Sequence, residues 1–351
     1  MPASPPDLRA SYTDRAVAEA SARGSTALGL GGLLARRGHR ARRTRVPGSA
    51  VSGGFRWRLV DVFSPTWWPQ GIAVGEHDGA PVVITSWFAQ RRRRRDMGAR
   101  ISVVDLRDER RPRYHHVLLV APRRGGYDPV VVHAGGIVWT GDRLLVAATL
   151  GGIREFRLGD IVRAPSRGLL RRSAGPFGYR YLLPEFASHR PPKGAKEGRM
   201  RYSFIAAETS TRQADDAEAL RIVAGEYAKH NRRRVARLSV RGDATTIDET
   251  HVPHIAEMQG VAVHNGEWFV NASRGDKHGA DLWVGAPGAM VRYAGVLPPG
   301  PEDLAVWAGR DELWSVTEFP GKRWVYVVDL AQFVRRYLNQ PSDASRVDER
   351  G

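Results

Sequence analysis

Polar and apolar positions along this chain follow a pattern that repeats five times. Each repeat opens with a small polar or glycine-containing cluster and continues into a short apolar run: Pro69–Val74, His133–Val138, Tyr202–Ala207, Met258–Val263 and Pro301–Val306. Two or three further strand-like runs follow each opening, and the pattern restarts after roughly 40–65 residues. Repeating units of short strands are typical of a β-propeller, in which sheets called blades surround a central axis.

Counting the strands predicts the number of blades. Each of the first four openings begins a set of four strands, whereas the fifth set has only three. The missing outer strand is supplied by a strand predicted at Phe55–Phe63, so that the N-terminal segment closes the ring and removes an exposed sheet edge. We therefore predict an all-β fold, a single propeller with twenty strands in five blades; six blades is the alternative.

The change in composition along the chain also predicts the domain boundaries. Residues 1–54 are rich in Pro, Ser, Arg and Gly, and we expect a disordered basic arm with one short helix near Asp14–Ala22. The propeller is predicted over 55–338, ending in a helix at Ala331–Leu338, and 339–351 are expected to be a disordered tail. The apolar run Ala27–Ala35 resembles an export signal, but its basic residues follow it instead of preceding it. We expect a cytoplasmic protein as the sequence stands, or a secreted one if the start site hides a signal peptide.

Composition narrows the function classes. The 351 residues include no cysteine, which excludes disulfides and thiolate chemistry, and no apolar run has the roughly 20 residues of a membrane span. The net charge is +17, yet only five of the 54 basic residues are lysine. Such an excess of arginine is expected from a GC-rich genome, which weakens the usual inference from positive charge to nucleic acid. The sequence also lacks a nucleophile elbow, a phosphate-binding loop and a dinucleotide fingerprint.

The openings of the inner strands converge in a propeller, and this predicts a site on the axis. The polar residues at these openings are Gln70, His133, Tyr202, Ser203, Gln259, Glu302 and Asp303. The first five could hydrogen-bond a hydroxylated ligand, His133 is the candidate general base, and the two acids suit a cation such as Ca²⁺. The alternative interpretation is that these side chains cap strand ends and satisfy turns.

Charges in the connecting loops predict an electrostatic polarity. The loops joining second to third strands are basic, most strongly at Arg91–Arg95, whereas the loops joining first to second strands are acidic, as at Asp215, Asp216 and Glu218. Topology places these two sets of loops on opposite faces. We therefore expect a basic face around the axial mouth, which would favour an anionic ligand.

Several of these motifs together resemble a known family. Pro69-Gln-Gly71, His133-Ala-Gly-Gly136, Arg201-Tyr-Ser-Phe204, Met258-Gln-Gly260, Pro301-Glu-Asp-Leu304 and Trp314-Ser-Val-Thr-Glu318 stand in this order. In this the chain resembles a largely uncharacterised family of predicted secreted β-propeller proteins of actinobacteria, from Phe55 to Leu330. The resemblance implies the fold and no reaction.

Three functions remain open at this point. The first is a binding module that holds a polar, anionic ligand, such as a sugar acid or acidic polysaccharide, in the axial mouth. The second is a metal-assisted hydrolase of the lactonase or esterase kind, using Glu302 and Asp303 on the cation and His133 as base. The third is salt-sensitive binding of nucleic acid by the basic arm and face.

Overall fold

The computed structural model describes residues 5–90, 97–165, 176–194, 198–210, 219–229 and 234–333. Its N-terminal part contains short elements that precede the first blade. They are β1 (Leu8–Tyr12), α1 (Arg15–Ser21), β2 (Thr26–Ala27), α2 (Gly29–Leu34), β3 (His39–Arg40), β4 (Arg42–Arg43), β5 (Val51–Arg56) and α3 (Leu59–Val62).

Antiparallel sheets of four strands then follow one another along the chain. Blade one contains β6 (Trp67–His77), β7 (Ala80–Ala89), β8 (Ala99–Asp105) and β9 (Arg113–Arg123), to which β10 (Gly126–Pro129) adds a short strand. Blade two contains β11 (Ile137–Thr140), β12 (Arg143–Ala147), β13 (Ile153–Arg157) and β15 (Tyr181–Arg190), with β14 (Val162–Arg163) inserted before the last strand.

The remaining blades follow the same plan. Blade three contains β16 (Phe204–Thr209), β17 (Leu220–Gly225), β18 (Val235–Arg241) and β19 (Ala244–His251). Blade four contains β20 (Met258–His264), β21 (Glu267–Ala272), β22 (Ala280–Gly285) and β23 (Val291–Leu297). Blade five contains β24 (Pro301–Trp307), β25 (Glu312–Thr317) and β26 (Trp324–Asp329). Three short 3₁₀ helices lie at Leu158–Asp160, Pro176–Gly178 and Ala308–Arg310.

An N-terminal strand completes the fifth blade and closes the ring. β5 pairs antiparallel with β26, with Arg56 opposite Trp324 and Phe55 opposite Val325. Each inner strand also contacts the inner strand of the next blade, and β24 contacts β6. The predicted all-β propeller closed by an N-terminal strand is therefore confirmed. The closing strand lies at Val51–Arg56 instead of Phe55–Phe63, where a turn and the short helix α3 stand.

Glycines at the openings of the inner strands allow the blades to approach closely at the axis. A Cβ added to Gly136 would lie 2.2 Å from the backbone nitrogen of Ile205, and one added to Gly260 would lie 2.7 Å from that of Leu304. Only glycine fits such a close backbone approach. The glycines of the repeated opening motif therefore bring polar residues of neighbouring blades within reach of one another.

The N-terminal residues differ from the predicted disordered arm. β1 pairs with β15 and with β19, and Leu8 is fully buried in the core of blades two and three. Leu30, Leu33 and Leu34 of α2 likewise pack into a hydrophobic core. The predicted short helix is present as α1, capped by the Asp14 side chain. The prediction of disorder was based on the high Arg and Gly content and gave no weight to a few well-spaced leucines, whose burial docks the segment on the propeller. Most of the predicted terminal helix and the tail at 339–351 lie outside the described residues.

Candidate functional site

Three inner strands carry an irregularity at the same level, where they reach the axis. The pairing register shifts between Pro69 and Ile72 in β6, between Met258 and Gly260 in β20, and between Pro301 and Leu304 in β24. A bulge inserts an extra residue and redirects a side chain that regular pairing would hold on the sheet face. These shifts coincide with the predicted polar openings of the strands.

A cavity of about 290 Å³ lies where the openings meet. Its lining residues are Gln70, His133, Thr149, Arg201, Ser203, Tyr227, Gln259, Glu302 and Glu318. Gln70 and Glu302 are almost fully buried, at 1% and 4% exposed, so that they form the deep part of the cavity. All five blades contribute at least one of the lining side chains.

Five of the seven residues predicted for this site line the cavity; Tyr202 and Asp303 do not. Tyr202 is buried, its backbone is bridged to Thr149, and burial raises the pKa of its hydroxyl above the ordinary value. The reason is the alternation of side chains along extended backbone: the neighbour of a residue that faces the cavity points away from it. Ser203 therefore reaches the cavity, whereas Tyr202 packs into the core.

Asp303 has a different environment from that of Glu302. Its Oδ2 accepts hydrogen bonds from the backbone amides of Ile72 at 3.3 Å and Ile137 at 3.2 Å, which joins blade five to blades one and two. The second carboxyl oxygen is buried and has no hydrogen-bond partner among the described residues. Burial raises the pKa of Asp303 well above its ordinary value, against the effect of these backbone donors.

The predicted pair of metal ligands is accordingly not brought together at the cavity, since Glu302 lines it and Asp303 does not. Within the described residues, no group of three or more His, Asp or Glu side chains is arranged to hold a metal ion. The acidic partner of Glu302 in the cavity is Glu318, which the sequence analysis did not select.

Glu302 and Glu318 form a hydrogen-bonded carboxyl pair. Burial, followed by the charges of Glu318 and Asp303, raises the pKa of Glu302 well above its ordinary value. Burial also raises the pKa of Glu318, to about 7, although hydrogen bonding from Gln70 and the charge of Arg323 act in the opposite direction. Two hydrogen-bonded carboxyl groups do not both ionise readily, so Glu302 keeps its proton and donates a hydrogen bond to Glu318.

Gln70 orients this pair from the neighbouring blade. Its Nε2 donates to Glu318 Oε2 at 3.2 Å and to the backbone oxygen of Pro69 at 2.8 Å. With both amide protons engaged, the carbonyl oxygen is the group that Gln70 can offer to a ligand. The deep end of the cavity therefore presents both hydrogen-bond donors and acceptors.

Four lining residues were not predicted from the sequence, and three of them share one position in the blade. Thr149, Tyr227 and Glu318 each follow a second strand, namely β12, β17 and β25. The second strand runs antiparallel to the inner strand and therefore ends on the face where the inner strand begins. Inspecting the polar residues directly after each second strand would have found these three. Arg201, the fourth, immediately precedes the opening of the third repeat.

His133 and Arg201 stand at the mouth of the cavity. The His133 ring lies against Phe88, with 4.3 Å between ring centroids, and remains accessible to solvent. The surrounding protein atoms and the charge of Arg201 lower the pKa of His133 below its ordinary value, so that it is neutral at pH 7. Arg201 is then the only permanent cation among the lining residues.

The charge polarity predicted for the two faces stays a prediction. Arg91–Arg95, Asp215, Asp216 and Glu218, which carried most of that contrast, lie outside the described residues. No helix in the described part of the chain has the length and apolar character needed to cross a bilayer.

Comparisons with known proteins assign this chain neither a family nor an activity. No family model and no curated protein matches the chain. Among solved structures, it is similar to a GH43_1 enzyme from Xanthomonas citri, with 13% identity over 76% of this chain and 88% of that chain and a TM-score of 0.41. It is also similar to the gluconolactonase XC5397 from Xanthomonas campestris, with 11% identity, 84% and 99% coverage and a TM-score of 0.39. Zg3597, a family 117 glycoside hydrolase from Zobellia galactanivorans, gives 11% identity, 84% and 91% coverage and a TM-score of 0.43. Identities and TM-scores this low assign no activity to the chain.

Proposed function

We propose that the axial cavity binds a small, hydroxyl-rich anionic ligand, of the class of sugar acids. The observation that carries this proposal is the convergence of polar side chains from all five blades around a proton-sharing carboxyl pair. The cavity of about 290 Å³ is at the small end of ligand pockets, which suits a single sugar ring more than a polymer.

The chemistry of the deep end matches hydroxyl groups. A hydroxyl donates one hydrogen bond and accepts others, so a site that binds several of them needs both kinds of partner. Glu318 accepts, Gln70 offers a carbonyl oxygen, and the hydroxyl of Ser203 serves in either role. Such polar groups, fixed inside a cavity, select a ligand by penalising analogues that leave them unpaired.

The mouth supplies the preference for an anion. Arg201 lines the cavity, and its side chain forms no ion pair with any described carboxylate. A carboxylate of the ligand at this position would gain a charge-assisted hydrogen bond. In the proposed orientation, hydroxyl groups contact the carboxyl pair and the acid group contacts Arg201.

Hydrolysis of a sugar lactone or ester is a second candidate, favoured by the pKa of about 7 for Glu318. A carboxyl group with this pKa can exchange a proton at neutral pH. As a base, Glu318 would take a proton from water attacking the ester carbonyl, while the protonated Glu302 would donate to the departing oxygen. This version of the hydrolase hypothesis needs no cation at Asp303.

Isothermal titration calorimetry with glucuronate, gluconate and neutral glucose tests the proposal. We expect the two acids to bind and glucose to bind at least tenfold more weakly. Arg201→Gln should weaken binding of the acids by roughly 10- to 100-fold, the range expected for a lost charge-assisted hydrogen bond, and leave glucose unchanged. Arg221→Gln, at an exposed position of β17, is the matched control. Binding of all three sugars with equal affinity, or no loss in Arg201→Gln, would contradict the proposal.

Gluconolactone separates binding from hydrolysis. A pH-stat assay should show proton release above the spontaneous rate if the second candidate is correct, and Glu318→Gln should abolish that excess. Tight binding of gluconate without faster lactone opening identifies a binding protein.

A further inference from the structure

A second cavity, distinct from the axial one, is lined mainly by arginine. This groove encloses about 710 Å³ at the outer edges of blades one and five, where the chain crosses between them. Its lining residues are Arg40, Ala41, Arg42, Arg43, Arg56, Trp57, Arg58, Leu59, Val60, Arg110 and Arg111. We call it the arginine groove. Seven of its eleven lining residues are arginine, and none is acidic.

The close spacing of these positive charges destabilises the fold. Arg42 lies directly opposite Arg56 in the antiparallel pair of β4 and β5. Like charges directly opposite each other on neighbouring strands are destabilising. The side chain of Arg58 contacts the imidazole of His39 at 2.9 Å, which offers no negative charge.

Arginines elsewhere in the protein form salt bridges with carboxylates. Arg154 meets Glu185 at 2.6 Å, and Arg143 meets Glu155 at 2.8 Å. In the part of the chain that the structure describes, none of the seven groove arginines forms a salt bridge with a carboxylate. An arginine-rich composition alone does not explain why arginines without a carboxylate partner are concentrated in one groove.

Exposed apolar side chains border the same groove. Leu59 and Val60 line it and are 59% and 66% exposed, and Phe63, at the end of α3, is 61% exposed. Only eight large hydrophobic side chains are exposed among the described residues, and three of these eight lie within five consecutive positions. Clustering of exposed apolar residues beside a charged surface marks an interaction site.

We propose that the arginine groove and the apolar residues beside it dock the protein on an anionic lipid surface. Guanidinium groups would bind the headgroup phosphates, while Leu59, Val60 and Phe63 would enter the boundary between headgroups and acyl chains. A single-stranded nucleic acid shares the phosphate chemistry but needs aromatic rings on which bases stack. The aromatic residue that lines the groove, Trp57, is 1% exposed, the other apolar lining residues are aliphatic, and the one exposed ring nearby, that of Phe63, is not part of the lining. These observations favour lipid.

Cosedimentation of the full-length protein with vesicles tests the proposal. Vesicles of phosphatidylcholine with roughly 30% phosphatidylglycerol provide the anionic surface, and pure phosphatidylcholine is the reference. We expect binding to the anionic vesicles only, weakening as salt rises. The triple variant Arg42→Gln, Arg43→Gln, Arg56→Gln should weaken it by roughly 150-fold, from about 1 kcal/mol for each basic residue near the surface.

Two further variants complete the design. Arg124→Gln, Arg163→Gln, Arg221→Gln removes three exposed arginines elsewhere and should bind like the unmodified protein. Leu59→Ser, Val60→Ser should increase the salt sensitivity of binding, because the apolar part of the interaction is lost. Melting curves check that all variants fold; the groove triple should be slightly more stable, since it removes like-charge repulsion.

Several results would overturn the assignment. Equal binding to neutral vesicles, or no difference between the two arginine triples, contradicts it. Binding of an unstructured DNA oligonucleotide that depends on the groove arginines, without vesicle binding, would identify a nucleic-acid groove instead. Retention of inorganic phosphate alone, again without vesicle binding, would reduce it to an anion site.

Discussion

Two buried acidic sites lie near each other in this protein and differ in how their charge is compensated. At the first, Asp61 accepts hydrogen bonds from Arg100 at 3.1 Å, His116 at 3.0 Å and Tyr114 at 2.5 Å. At the second, Glu302 and Glu318 meet each other and the neutral amide of Gln70. Arg323 links the two, donating to the backbone oxygens of Asp61 and Glu318.

The difference in compensation appears as opposite pKa shifts. Burial alone would raise the pKa of Asp61, but the hydrogen bonds from His116 and Tyr114 and the charge of Arg100 lower it well below its ordinary value. At the carboxyl pair burial prevails and the pKa values rise. A satisfied ionic cluster is typical of structure, whereas an undercompensated pair beside a cavity is typical of a functional site.

The packing around Asp61 supports a structural role. The Arg100 guanidinium stacks on Trp67 and Trp87, at 4.5 and 4.7 Å from the ring centroids. His116 donates to Asp61 through Nε2, so that its Nδ1 is the acceptor for Ser102 at 2.8 Å. Asp61, Arg100, His116 and Ser102 each have a hydrogen-bond partner inside this cluster, although the Nε of Arg100 has none among the described residues.

The largest expected effect comes from breaking the compensated cluster. Asp61→Asn leaves Arg100 without a counter-charge in a buried environment, and we expect it to lower the free energy of unfolding by about 3–5 kcal/mol. Glu318→Gln, an equally conservative change at the other site, is the control. Chemical denaturation at pH 7 measures both. Similar losses in the two variants would remove the distinction between the sites.

The next effect is a pH dependence of stability that originates at the carboxyl pair. A carboxyl group with a raised pKa holds its proton in the folded state where the unfolded chain has lost it. The contribution of this carboxyl group to the free energy of unfolding should therefore fall as pH rises from about 4.5 to 7, by up to about 3 kcal/mol for the shift of Glu318, whereas histidines with lowered pKa values, such as His133, act in the opposite direction. Denaturation of the wild type and of Glu318→Gln across this range measures it.

Glu318→Gln removes the titrating carboxyl group but keeps the histidines, so the unfolding free energy of the variant relative to the wild type should increase over the same pH interval. At pH 7 and above the variant should equal or exceed the wild type. A difference between variant and wild type that stays constant through this interval would contradict the raised pKa of Glu318.

A smaller loss of stability is expected when the compensated cluster loses a side chain that is linked to Asp61 only through His116. Ser102→Ala deletes the hydroxyl that contacts Nδ1 of His116 but leaves the contacts of Asp61 intact. We expect a loss of about 1–2 kcal/mol in unfolding free energy, the cost of one unmade buried hydrogen bond. A loss as large as that of Asp61→Asn would mean that the histidine, not the aspartate, organises the cluster.

The smallest effect on stability should come from the lining of the cavity. Gln259 is only partly buried and makes no side-chain hydrogen bond with the described residues. Gln259→Ala should change the unfolding free energy by less than about 0.5 kcal/mol while weakening sugar-acid binding measurably. Thermal melts and calorimetry of the same preparation separate the two readouts. A clear stability loss without any change in binding would support the alternative that these residues cap strand ends.

Much of the candidate site could be predicted from the sequence because the period of the repeat determines which residues converge. Gln70, Gln259 and Glu302 each follow an apolar or proline residue at the start of an inner strand, and a closed ring brings such positions to one axis. A closing strand could be predicted from the strand count, because a fifth blade of only three strands leaves one sheet edge unpaired.

Only the tertiary structure decided how neighbouring polar residues divide between cavity and core. Glu302 and Asp303 are adjacent in sequence, but alternation along the strand and a bulge send them to different environments. Glu318 joins the site from the loop that follows β25; its position after a second strand can be read from the sequence, but its pairing with Glu302 cannot. The sequence by itself determined the repeat, the strands and the convergence of their openings, because these depend on local periodicity. Burial, pKa shifts and the arginine groove depend on which distant segments meet, and this is determined only when the ring closes.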